Sequence, residues 1–326
     1  MTAVREIVVA DIGGTNARFA LARIAGGEAP VLGDVVTWPT ASHASLPLAF
    51  RAFAERLGRP APREAAIAFA GPVAGEVVSL TNTPWIIRPA TLAAELGVDD
   101  CLVINDFGAV GHAVARLGDE HFTHVCGPEE PLPALGVISV VGPGTGLGVA
   151  HVRRFPGGYH VQETEGGHID FAPLDSLEDA LVLRLRALHL RVSVERVVAG
   201  PGLAAIHATL AALEGRAVAP MDDAALWTAA LSGADPLAAA AVERLCLSLG
   251  AVAGDIALAQ GAGAVVIGGG VGERLADRLA GSGFAARFAA KGRFRSMMAA
   301  MPVKLINHPQ PGLFGAAAAF AVEHRA

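Results

Sequence analysis

Asp11-Ile12-Gly13-Gly14-Thr15-Asn16-Ala17-Arg18-Phe19-Ala20 and Gly142-Pro143-Gly144-Thr145-Gly146-Leu147-Gly148-Val149-Ala150 are two versions of one pattern. Each follows a short apolar run, Glu6 to Ala10 and Val137 to Val141, and each leads back out through a second one, Arg18 to Ala22 and Val149 to Val152. Gly14–Ala20 and Gly144–Ala150 superpose as strings at a constant offset of 130 positions. A strand–glycine turn–strand unit in each half predicts a duplicated α/β domain. The glycines suit tight hairpins whose backbone N–H groups point outward, where a phosphate can approach. One such hairpin is an ordinary turn; two of them facing a cleft would grip a polyphosphate from both sides.

A third stretch, Leu102-Val103-Ile104-Asn105-Asp106-Phe107, runs three aliphatic residues into an Asn-Asp pair, with a glycine-punctuated helical pattern behind it. It reads as a buried strand delivering two polar side chains to the rim of a sheet, where open α/β sheets bind ligands. A carboxylate placed there needs a partner or a task. Asp106 is therefore a candidate proton acceptor, and its competing reading is the N-cap of the helix from Phe107.

The remaining pattern alternates strands and helices. Leu46, Phe50, Phe53 and Leu57 share one helical face closed by Gly58. Ala66–Ala70 and Val77–Leu80 read as strands, Thr81-Asn82-Thr83-Pro84-Trp85 as a polar loop, and Thr91–Glu95 as a helix stopped at Gly97. Asp175 with Glu178 forms a capping-box pattern. Asp235-Pro236 opens a long helix to Gln260, with Gly261 past its end. Ala264–Ile267 is a strand, Gly268-Gly269-Gly270-Val271-Gly272 a bare turn, and Glu273 the start of a helix; an Ala-rich helix ends the chain.

Composition narrows the function. The 326 residues suffice for two domains, and 52% hydrophobic with 17% charged residues describes a globular chain. Three separated cysteines, Cys101, Cys126 and Cys246, make neither a disulfide framework nor a Cys-rich metal site. No apolar run of membrane-spanning length lacks a charge or a breaker, and no secretory pattern opens the chain. A cytoplasmic protein without a membrane partner is expected. The net charge of −6 argues against a nucleic-acid surface. The only lysines, Lys291 and Lys304, lie outside the glycine-rich loops, which excludes a P-loop and a protein-kinase strand lysine. No turn completes G-x-G-x-x-G between a strand and a helix, which argues against a nicotinamide dehydrogenase.

Taken together, Asp11–Arg18, Ala70–Gly75 with Thr81–Trp85, Ile104–Phe107, Gly142–Gly148, Glu165–Phe171, Glu195–Gly202, Gly268–Gly270 and Gly312–Gly315 resemble, in order, the motifs of the bacterial ATP-dependent glucokinases. That resemblance implies a duplicated hexokinase/actin-like (ribonuclease H-like) two-domain fold with a central cleft. The smaller domain would be 1–115 plus 313–326 and the larger 116–312. It implies ATP and Mg2+ as cofactors, glucose as substrate, and a homodimer. Ala10, Asp11, Ile12, Gly13, Gly14 and Thr15 match the first phosphate motif, with Asp11 near Mg2+ through water. Gly144, Thr145 and Gly146 match the second, with Pro143 where a small residue is expected. Gly268, Gly269 and Gly270 match the adenosine motif. Asn105, Asp106, Glu165, His168 and Glu195 match the glucose ligands, Asp106 being the catalytic base.

The residue types suit that chemistry. Carboxylates, an amide and an imidazole can fix the paired donor and acceptor of each sugar hydroxyl. Phosphoryl transfer asks for alignment, a proton acceptor and cancellation of phosphate charge. With almost no lysine, backbone amides, Mg2+ and Arg18 are left for the last task. Other readings stay open on the residues alone. Glu195 falls in a first helical turn, where acids favour the helix dipole. Asp170 either orients His168 or caps a turn. His112, His121 and His124 lack metal-ligand companions. His168 lacks the following Cys cluster of the zinc-containing relatives that pair Glu-x-Gly-His with metal. Arg293-Phe294-Arg295 beside Lys291 reads as a solvated basic loop. The same residues would serve mannose, fructose or an amino sugar. A non-catalytic sugar-binding regulator is the rival of another class; its relatives carry a DNA-binding segment ahead of the first phosphate motif, and here none is expected.

Overall fold

A computed structural model describes residues 4–71, 73, 75–79, 84–217 and 221–324. The Thr81–Thr83 part of the expected polar loop lies outside these residues. Contacts divide the chain into residues 1–118, 161–163 and 308–326, and residues 119–160 and 164–307.

In the first unit, β1 (Arg5–Ile12), β2 (Asn16–Ile24), β3 (Val31–Leu32), β4 (Val36–Pro39), β5 (Glu64–Phe69) and β8 (Asp100–Asn105) form one sheet. Its order is β3-β2-β1-β5-β8, and β4 also pairs with β2. β6 (Val78–Ser79) and β7 (Ile86–Ile87) make a separate small hairpin. β1 is antiparallel to β2 and parallel to β5, which is parallel to β8. Alternate side chains of β1 enter two cores. Val8, Ala10 and Ile12 meet Leu46, Phe50 and Phe53 of α1 (Leu46–Arg56) and Leu92 of α2 (Pro89–Leu96). Ile7 and Val9 meet Ala109 of α3 (Asp106–Arg116) and the alanine face of the chain's last helix (Pro311–Glu323).

The second unit repeats the arrangement. Its sheet runs β12 (Gly158–Thr164), β11 (Leu147–Phe155), β10 (Gly136–Pro143), β13 (Ala264–Ile267), β14 (Val303–Ile306) and β9 (Phe122–Cys126). β10 is antiparallel to β11 and parallel to β13, which is parallel to β14. β10, β11, β13 and β14 thus stand for β1, β2, β5 and β8, which is the duplication read from the two glycine strings. The turns differ by one residue: four residues separate the paired Ile12 and Ala17, three separate Pro143 and Leu147.

Helices α4 (Ser176–Arg186), α5 (Glu195–Val198), α6 (Gly200–Leu213), α7 (Asp223–Ser232) and α8 (Pro236–Gln260) precede β13. α9 (Gly269–Arg274), α10 (Ala276–Leu279), α11 (Phe284–Ala289) and α12 (Arg295–Ala299) follow it, and α13 is the last helix. α8 is held as its sequence signals promise. The Asp235 carboxylate accepts from the N–H groups of Leu237 and Ala238, and Gly261 ends the helix in the left-handed conformation at φ +64. By length and composition alone α8 is apolar enough to cross a bilayer, but 72% of its most apolar window is buried in the protein. It is the central helix of the second unit's core, where Leu245, Leu249, Val252 and Ile256 meet Phe284 and Phe288.

Two features of this packing are testable. A Cβ at Gly315 of α13 would fall inside the carbonyl of Ala109 on α3, backbone against backbone. Gly-to-Ala inside a helix ordinarily gains about 1 kcal/mol. Here Gly315→Ala should instead cost about 1–3 kcal/mol, as overpacked cores do, seen as a lower thermal midpoint. In the other unit Glu178 is fully buried, accepting from Leu174 N (2.7 Å) and Ser248 Oγ (3.0 Å), with Arg244 at 3.5 Å. Beside it, Asp175 caps α4 through Glu178 N–H (3.0 Å) and pairs with Arg244 and Arg287. Burial opposes the charge of Asp175, but the Glu178 N–H and the two guanidinium groups outweigh it and hold its carboxyl below 3.8. A depressed carboxyl stabilises the fold above its unfolded value and ceases to as pH falls through the folded one. Stability should therefore fall below about pH 4 more steeply in the wild type than in Asp175→Asn, which keeps the cap; acid titration of unfolding by circular dichroism measures both slopes.

Candidate active site

Within each unit the central strands are parallel, so their carboxyl ends lie at one edge of that unit's sheet, and a glycine turn follows there. In the first unit Ile12, Phe69 and Asn105 share a row at that edge. The first turn is closed by Gly13 N–H to Asn16 O (2.9 Å). It is held from outside by the fully buried Thr40, whose Oγ1 donates to Gly13 O (2.8 Å) and whose N–H donates to Thr15 O (2.9 Å). Thr40 carries no motif, and a sequence reading passes over it.

The Asp11 carboxylate lies 3.4 Å from Arg18 Nη1. It also lies against the first turn of α13, where a Cβ on Gly312 would stand 2.9 Å from its Oδ2. Burial pushes the Asp11 carboxyl above its ordinary value, and the Arg18 guanidinium works against that shift.

At the end of β8 the structure separates two roles that the sequence left together. Asn105, not Asp106, caps α3: its Oδ1 accepts from Phe107 N (2.8 Å) and Gly108 N (3.0 Å). Its Nδ2 donates to Gly71 O (2.9 Å). Asp106 is the first residue of the helix, with Oδ1 2.9 Å from Phe107 N.

In the second unit the segments converge on the turn after β10. Gly144 N–H closes it onto Gly146 O (2.7 Å), and Gly200 N–H donates to Gly144 O (2.8 Å). Gly268 N–H donates to Val141 O (3.0 Å). Gly269, at φ +74, sits so close that a Cβ would be 2.5 Å from Pro143 O. Helix α9 accordingly starts at Gly269 rather than at the expected Glu273, because the glycines themselves make its first turn. Glu195 Oε2 accepts from Leu147 N (3.0 Å), and Gly167 presses on the carbonyl of the same Leu147. Glu165 and His168 flank a short 3-10 turn with Oε2 and Nε2 3.9 Å apart, both side chains exposed.

Other expectations resolve differently. Asp170 pairs with Arg191, and its bridge to Ser193 ties the Glu165–Phe171 segment to the start of α5. At the start of α5, Val194 occupies the cap position and makes no side-chain cap bond. Lys291 does not belong to a solvated loop. Its Nζ donates to Ala251 O (2.7 Å) and Asp255 Oδ1 (2.6 Å) on α8. Lys304 pairs with Asp119 at 3.4 Å. Among the described residues no group of three His, Cys, Asp or Glu could hold a metal ion by itself.

A sequence model of the glucokinase family matches residues 8–323. The chain belongs to the glucokinase family. The glucokinase of Zymomonas mobilis is 60% identical to it over 316 residues, 97% of this chain and 98% of the relative. The crystal structure of a glucokinase from an Antarctic psychrotroph superposes with a TM-score of 0.84 at 36% identity, covering 96% of this chain and 98% of the other. A ROK-family glucokinase from Streptomyces griseus, solved with glucose and AMPPNP, shares the fold at a TM-score of 0.61 and 21% identity, covering 97% and 98%. The two-sheet architecture is thus the two-domain α/β kinase fold, and the chain is a phosphotransferase.

Reading the first turn as a phosphate contact, as the sequence motif implies, gives its support from Thr40 a kinetic signature. Thr40→Val keeps the shape and removes the bond to Gly13 O. We expect KM for ATP to rise about threefold to tenfold, the worth of one neutral hydrogen bond, with KM for the sugar unchanged in a coupled ADP-release assay.

Proposed function

We propose that Asp106 is the general base in ATP-dependent phosphorylation of glucose, the reaction of the family to which this chain belongs. The observation that carries this role is the placement of Asp106 as the first residue of α3, directly after β8 ends at the carboxyl edge of its sheet, with Asn105 holding the cap. In the first turn of α3 the helix dipole favours the ionised carboxylate, the form able to accept a proton. The sugar hydroxyl oxygen forms a bond to the terminal phosphorus as the bridging bond to ADP breaks, and the hydroxyl proton passes to Asp106.

The sugar's other hydroxyls fall to Asn105, Glu165, His168 and Glu195. Asn105 has its oxygen committed to the cap and one Nδ2 hydrogen to Gly71, so it offers glucose a donor only. Glu165 and His168, adjacent and exposed, supply an acceptor and an imidazole. The backbone amides of Gly13–Thr15 and Gly144–Gly146 take the phosphates, and Gly268–Gly270 make room for the adenosine. Both lysines are engaged elsewhere, which leaves Arg18 as the side-chain cation of the first turn.

Asp11 fits a magnesium ion: it is one carboxylate on a phosphate turn, and Mg2+ is held by one or two carboxylates together with phosphates and waters. When bound, the ion cancels charge on the phosphate oxygens. Glucose and AMPPNP in the Streptomyces griseus structure support both ligands for this fold.

Asp106→Asn preserves size and position. It should lower kcat by about 10²–10⁴ while glucose binding, followed by calorimetry, stays within a few-fold of wild type. A kcat within tenfold of wild type would reject Asp106 as the base.

A further inference from the structure

Glu195 is the one predicted sugar ligand whose carboxylate is already bonded to a nucleotide turn. Oε2 accepts from Leu147 N–H at 3.0 Å, directly after Gly144-Thr145-Gly146. The approach is close: a Cβ on Gly146 would overlap Oε2 and stand 3.2 Å from the carboxyl carbon, so the carboxylate would have to move off Leu147. Helix α5, which carries Glu195, is fixed at both ends. Val194 N–H donates to Ile169 O (2.9 Å) on one side, and Gly200, beyond its end, donates to Gly144 O (2.8 Å) on the other. Glu195 therefore cannot shift without moving the turn or the Glu165–Phe171 segment.

We infer that Glu195 is a positioning residue for the second phosphate turn, acting on the nucleotide through Leu147 while its other oxygen is left for the sugar. This rests on the family reading of that turn as a nucleotide contact. A carboxylate shared in this way makes sugar and nucleotide affinities interdependent. A sugar hydroxyl donating to one oxygen fixes the carboxylate, and the carboxylate fixes the amides that meet the phosphates.

The inference separates from a plain sugar-ligand role by nucleotide affinity measured without sugar. Calorimetric titration with Mg-AMPPNP should give a Kd about tenfold or more weaker in Glu195→Ala, a charge-assisted hydrogen bond being lost. Glu195→Gln keeps an oxygen able to accept from Leu147 N–H, so its nucleotide Kd should return to within about threefold of wild type while glucose binding remains impaired. Gly146→Ala, approaching the contact from the other side, should reproduce the nucleotide defect, and combining it with Glu195→Ala should add little further. A wild-type nucleotide Kd in Glu195→Ala would overturn the inference and leave Glu195 a sugar ligand alone. A nucleotide defect in Glu195→Gln equal to that of Glu195→Ala would overturn it as well. Failure of the underlying family reading would look different: wild type itself would not bind Mg-AMPPNP.

Discussion

Peptide groups at the end of a parallel strand have lost their ladder partners, and inside a protein they must find others. Each sheet of this chain ends its central parallel strands at one of its own edges, and a glycine turn sits at each. In the first, the partners are Thr40 and the turn itself. In the second they are Gly200 and the Glu195 carboxylate, with Gly268 donating back to Val141. Both turns also carry further amides on glycine-rich backbone, and a polyphosphate is the ligand that such a set suits. The scarcity of lysine accords with the proposed reading, in which oriented dipoles, Arg18 and a metal ion meet the charge of the phosphates in place of a mobile ammonium group.

Close approach is the cost of that arrangement, against backbone at two glycines and against a carboxylate at a third. Gly269 touches the carbonyl of Pro143, Gly146 touches Glu195, and Gly315 touches Ala109 where α13 crosses α3. The first two shape the site, whereas the third presses α3, whose first residue is Asp106, onto the helix whose first turn lies against Asp11. The placement of Asp106 and of Asp11 in the first unit therefore depends on one helix crossing and on the alanine face that allows it.

Much of this was legible in the sequence because it is local. The α8 caps at Asp235 and Gly261, the Asp175 cap of α4, the alternation of β1 and the repeated glycine hairpin all depend on residues within a few positions of one another. What was not legible depends on partners distant in sequence. Thr40 supports Gly13 from 27 positions away, and Lys291 reaches back 40 positions to Ala251. Neither leaves a pattern. The choice between Asn105 and Asp106 as cap was a local ambiguity of another kind, since both side chains can cap and only the backbone geometry decides. Glu195 does stand in the first turn of α5, as its local sequence suggests, but its contact with Leu147 reaches back 48 positions and leaves no local pattern.

The central claim is that the amides of the two turns receive the nucleotide's phosphates, and amide hydrogen exchange tests it most directly. With Mg-AMPPNP bound, exchange at Gly14, Thr15, Thr145 and Gly146 should slow together, more than at any other turn in the chain. Slowing confined to other segments, with these four amides unchanged, would contradict the account.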